Sequence, residues 1–144
     1  MNETIQLLKD VVRNARTGLD AVETLMKKTG GADMRDELSR EREQYLAAAR
    51  DGERALADAG GQPEPAGALS KVGMRLGLEG ETLLDRSDAH IAEIMIQGAT
   101  MGVIEMTKSL NTYGGADPQA RGLASQFVVQ QNEVIDRQKG FLEN

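Results

Sequence analysis

The sequence predicts an all-α protein, a four-helix bundle forming a single domain over residues 1–144. Three observations carry that expectation. Apolar residues recur at three- and four-residue spacing through most of the chain, the period of one face of a helix. Only 3% of the residues are aromatic and none is Trp, so the core must be built from Leu, Ile, Val, Met and Ala, a palette that suits packed helices better than strands. Glycine-rich breaks separate the helical stretches by two short connections and one long one. At 144 residues the chain is large enough to bury one core.

Helix one is marked by Ile5, Leu8, Val12, Ala15, Leu19, Val22 and Met26, with Val11, Gly18 and Leu25 widening the stripe. Lys27 and Lys28 sit where the negative end of the helix dipole attracts cations, and Gly30 stops the helix. Asp33, with Asp36 three residues on, is the expected cap of helix two.

Helix two is expected over about 34–59, with a seam of Met34, Leu38, Glu41, Tyr45, Ala48, Gly52, Ala55 and Ala59. The small residues at its far end call for close approach by a neighbour. Glu41 falls on the seam itself, where a charge is costly unless it is paired or coordinated. The simplest expectation is that it leans to the edge and meets Arg35, Arg40 or Arg42.

Residues 60–65, Gly-Gly-Gln-Pro-Glu-Pro, break the helix. A short helix is expected over 66–78, with Leu69, Val72 and Leu76 on one face and Gly73 and Gly77 interrupting it. After Gly80, Thr82 with Asp85 can cap helix three, expected over about 81–113. Its central part, 90–106, is apolar on nearly every side, yet carries Glu93, Gln97, Glu105 and the chain's only histidine, His90. Gly98 and Gly102, four apart, clear a strip for another backbone. Asp117 and Pro118 then provide an N-cap and first residue for helix four, about 118–142. Its stripe of Leu123, Ala124, Phe127, Val128, Val134, Ile135, Phe141 and Leu142 has Gln131 and Gln138 within it.

Several function classes are disfavoured by composition. The net charge of −6 and pI near 4.9 argue against nucleic acid and against an anionic membrane surface. With no cysteine there is no disulfide, thiolate metal site or thiol nucleophile. The apolar segment 91–106 is too short and too charged to span a membrane. Residues 1–10 lack the apolar run of a secretory signal, and a cytoplasmic location is expected. No nucleophile beside His90 suggests a hydrolytic triad, and no glycine-rich phosphate loop occurs. Met95, Met101 and Met106 are expected in the core, the alternative being a pliable groove for a peptide or lipid.

The connection lengths suggest two tight helical hairpins joined by one long crossover carrying a short helix, the alternative being a plain up-down bundle with residues 66–78 capping one end. In the first arrangement the chain resembles the ferritin-like superfamily, in particular its small uncharacterised bacterial members. Di-iron proteins of that superfamily place a Glu on each of two helices and a Glu-x-x-His pair on each of the other two. This chain has no Glu-x-x-His, and His90-Ile-Ala-Glu93 runs in the reverse order. Carboxylates remain on each helix: Glu23, Glu41, Glu93, Glu105, Glu133 and Asp136. Glu93 and Glu105 lie about 120° apart around an ideal helix and cannot serve one centre together. One arrangement joins His90 and Glu93 to Glu41 or a glutamine of helix four; another joins Glu105 to Glu41 across the core.

The functional expectation is a non-catalytic, ferritin-like structural or interaction protein without a cofactor, acting as a homodimer. Its alternative is a protein binding Fe or Mn through Glu41, His90, Glu93 and Glu105.

Overall fold

A computed structural model describes residues 2–64 and 85–142. Among them the regular structure is helical throughout, in four long helices. These are α1 (Glu3–Met26), α2 (Ala32–Asp58), α3 (Asp88–Thr112) and α4 (Pro118–Lys139).

Local chemistry explains most of the ends. Asn2 caps α1 by accepting from the Ile5 amide at 3.1 Å, and Asp117 caps α4 by accepting from Ala120 at 2.8 Å. The chain leaves α2 through Gly60, whose φ of 86° suits glycine, and the amides of Gly60 and Gly61 reach back to the carbonyls of Ala57 and Leu56.

Three boundaries differ from the sequence expectation. Gly31 takes the N-cap position of α2 in extended conformation, and Asp33 lies inside the first turn, favourable to the dipole. Helix α3 begins at Asp88, capped by Ser87, whose Oγ accepts from the His90 amide; residues 85–87 are not helical, and Asp85 instead accepts from the Ser87 amide. Helix α4 stops at Lys139 rather than near 142. The expected short helix at 66–78, and residues 81–84 of the expected helix three, lie outside the described residues.

The contacts define how the helices run. The α3–α4 loop reaches the start of α1, where the Asp117 amide donates to Thr4 Oγ1 at 2.9 Å and Ser109 Oγ donates to Asp10 at 2.7 Å. At the other end, Gly31 packs against the Asp88 carboxylate. Helix α3 is therefore antiparallel to α1. The end of α2 lies at the start of α1, with Gly61 beside Ile5 and Arg13 Nη1 on Glu64 at 2.7 Å. So α2 finishes at one end of the bundle and α3 begins at the other. Helices α1 and α2, then α3 and α4, form antiparallel hairpins; α2 also packs on α4, while α2 and α3 scarcely touch.

The core between these helices is Leu, Val, Ile, Met and Ala, including Leu7, Leu8, Leu25, Met34, Leu38, Leu56, Ile91 and Met106. Phe127 and Tyr45 are its large aromatic groups, with ring centroids 6.3 Å apart. Met95 and Met106 are core residues, as their spacing implied, while Met101 is only half-buried. The outer strip of α3 corrects the expectation of an all-round apolar helix: Glu93, Gln97, Thr100, Glu105, Lys108 and Asn111 are exposed, joined by a single large apolar residue, Ile104.

Candidate functional site

Polar side chains enter the core mainly along the seam between α2 and α4. Glu37, Glu41 and Tyr45 follow one another at four-residue spacing on α2, so they line one face. Gln131 and Gln138, seven apart on α4, face them, with Arg137 beside the second. The two helices run antiparallel, which brings the start of one set against the end of the other.

At the lower level, Tyr45 Oη donates to Gln131 Oε1 at 2.8 Å, both residues being buried. Burial pushes the Tyr45 phenol above its ordinary range, and repulsion from Glu41 adds to it. At the upper level, Gln138 Nε2 donates to Glu41 Oε2 at 2.7 Å, and both side chains are fully buried. One turn earlier, Glu37 accepts from Arg137 Nε at 2.8 Å, while Arg137 Nη2 donates to Gln44 at 3.0 Å.

Glu41 is the unusual member. Burial raises its carboxyl to about 9, reinforced by the neighbouring Glu37 carboxyl; Gln138 and Arg137 pull in the other direction. Among the described residues its Oε1 has no hydrogen-bond partner, and neither has Gln138 Oε1. The expectation that Glu41 leans out to a nearby arginine is corrected. Arg35 donates to the Thr29 carbonyl, Arg42 pairs with Glu23 and Glu43, and Arg40 is exposed. A seam position on a helix packed on both sides points inward, and a side chain two carbons long past Cβ does not escape it.

The other candidates lie elsewhere. His90 Nδ1 is 3.8 Å from Glu93 Oε2, and both side chains stand on the surface at the start of α3. Glu105 is exposed and contributes only its carbonyl, which accepts from Ser109 Oγ at 3.0 Å. Glu41, His90, Glu93 and Glu105 thus do not converge, and among the described residues no group of three or more His, Asp or Glu side chains could hold a metal ion. The residues present do not fit the two-metal centre that a ferritin-like resemblance would imply.

Glu37 and Arg137 were not singled out from the sequence. The signal was available for Glu37, which lies one helical turn from Glu41 and so shares its face. Nothing local marks Arg137 as its partner. A depression of about 100 Å³ between α2 and α4, lined by Ala48, Asp51, Gln126 and Phe127 among others, does not include Glu41. No helix among the described residues is long and apolar enough to cross a membrane.

The fold has a counterpart among solved structures. The crystal structure of a DUF305 fragment from Deinococcus radiodurans superposes with a TM-score of 0.77 at 19% identity, covering 99% of this chain and 96% of that one. At that identity the likeness concerns the fold alone. No protein-family model and no curated protein matches the chain.

Proposed function

We propose that the protein is a non-catalytic helical bundle with ferritin-like connectivity, which acts through its surface as a structural or interaction protein and associates as a homodimer. The observation that carries the non-catalytic part is how the buried polar groups are used. Tyr45 is engaged by Gln131, Glu41 by Gln138 and Glu37 by Arg137, all within the α2–α4 seam. Groups committed to one another and sealed from water are poorly placed to meet a substrate. The ferritin-like connectivity is supported by α2 finishing at one end of the bundle and α3 beginning at the other.

The dimer is supported by Ile104, 49% exposed on the otherwise polar outer strip of α3. A lone apolar residue ringed by polar ones suits the centre of a small self-complementary contact.

Light scattering across a concentration series tests this part. A mass twice the 15.6 kDa of one chain is expected, reverting to one chain in Ile104→Lys with helicity unchanged. A 15.6 kDa species at every concentration rejects the dimer. Elemental analysis after chelator-free purification tests the remainder: a stoichiometric transition metal would reject the non-catalytic, cofactor-free assignment.

A further inference from the structure

We propose that Glu37 and Glu41 hold one proton between them in the native bundle, so that α2 meets α4 through a carboxylic acid–carboxylate pair whose proton keeps the seam closed.

Charge balance is the first ground. Two carboxyl groups, fully and almost fully buried, share a face one turn apart. Among the described residues one cation reaches them, Arg137, and its guanidinium is spent on Glu37 and Gln44. Helix α1, packed on the other side of α2, buries apolar Val22 and Leu25 in its upper half, and its Glu23 is committed outward to Arg42. Helix α3 scarcely touches α2. With both carboxyls ionised, a buried negative charge would have no counterion, and its lost hydration would go uncompensated. A proton removes it.

The second ground is independent of charge. Among the described residues the two buried side-chain atoms without a partner, Glu41 Oε1 and Gln138 Oε1, are both acceptors, and no buried donor is left over to match them. A missing donor at a carboxyl is what an unplaced acid proton leaves behind. Placed on Glu41 Oε1 and directed at Glu37, it gives that oxygen a role, while Oε2 continues to accept from Gln138. The raised titration of Glu41 agrees with this placement.

The consequence is a seam that responds to alkali. When the proton leaves, Glu41 becomes an anion facing Glu37 within the bundle, and separation of α4 from α2 admits water to both.

Carbon-13 NMR of glutamate-labelled protein reads the state directly, with the Glu41 carboxyl signal identified by its loss in Glu41→Gln. At pH 7 that signal should have the chemical shift of a protonated acid and move to the carboxylate position near pH 9. In Glu37→Gln the Glu41 midpoint should fall by a unit or more, since one cause of its elevation is gone. Amide exchange in α2 and α4 around the seam should accelerate through the Glu41 midpoint by more than the base-catalysed increase measured in α3.

An ionised Glu41 at pH 7 in the wild-type protein overturns the proposal, as does an unmoved midpoint in Glu37→Gln. If the Glu41 carboxylate is instead accompanied by one bound cation per chain, the donor missing from the seam is an ion and not a proton.

Discussion

Gly18 of α1 lies directly against the ring of Tyr45 of α2: a methyl group built on Gly18 would stand 2.6 Å from Tyr45 Cδ1. The ring has little freedom to retreat. It is 3% exposed, packs on Phe127, and is tethered through its hydroxyl to Gln131. The missing side chain at Gly18 is what makes room for the tyrosine ring between α1 and α2. Ordinarily Gly→Ala inside a helix stabilises by roughly 0.5–1 kcal/mol. Here overpacking should win, and Gly18→Ala is expected to cost about 1–3 kcal/mol in urea unfolding. A double-mutant cycle with Tyr45→Leu should recover part of the loss; strict additivity would mean that the two side chains do not meet.

Gly102 of α3 gives the opposite expectation. A methyl group there would lie 3.4–3.5 Å from Gln131 and Phe127, ordinary contact distances. What faces this glycine is side chain, not the close backbone expected of a Gly98/Gly102 strip, and Gly98 itself is only half-buried. Gly102→Ala should therefore leave the fold as stable as before or raise stability by up to about 1 kcal/mol. A marked loss in thermal unfolding would mean that this face of α3 is tighter than its contacts show.

Removing the Tyr45 hydroxyl isolates the value of the lower rung of the seam. In Tyr45→Phe the ring packing is retained, but buried Gln131 Oε1 loses the donor at 2.8 Å. A loss of about 1–3 kcal/mol is expected, the usual cost of stranding a buried polar group. Replacing Gln131 by Leu in the same chain should restore part of it, because both partners are then apolar; equilibrium unfolding of the three variants makes the comparison.

Stability should depend on pH in the direction opposite to that of a salt-bridged carboxylate. Glu41 titrates higher in the folded protein, about 9, than in the unfolded chain, near 4.5. Between those values the native state binds the extra proton, so this group's contribution is complete below 4.5 and is lost as pH rises towards 9. The slope from a single proton is at most about 1.4 kcal/mol per pH unit. Urea midpoints at pH 5, 7 and 9 should decline in that order. Glu41→Gln, which keeps the shape and substitutes an amide donor for the acid proton, should flatten the decline. An equally steep decline in the variant would assign it to other groups.

How much of this could be read beforehand depends on the kind of interaction. Leu8, Leu25, Leu38 and Met106 were legible as core because burial of a helix face follows from spacing along one segment, whereas Leu7, outside the expected stripe, is fully buried and the stripe residues Ile5, Leu19 and Met26 are only partly so. The breaks at Gly30 and at Asp117-Pro118 were legible because capping and backbone restriction act within a few residues.

Only the tertiary structure decided what each inward residue meets. Glu41 was placed on a seam by its sequence, but its partner Gln138 is 97 residues away and that of Tyr45 is 86 away. Helical periodicity reports the angle of a residue around its own axis. It carries no information on the height at which a second helix passes, and hydrogen bonds form only when both agree to within a few tenths of an ångström. The same limit separated Glu105 from Glu41: each could be assigned a face, but the arrangement of four helices left one in water and enclosed the other.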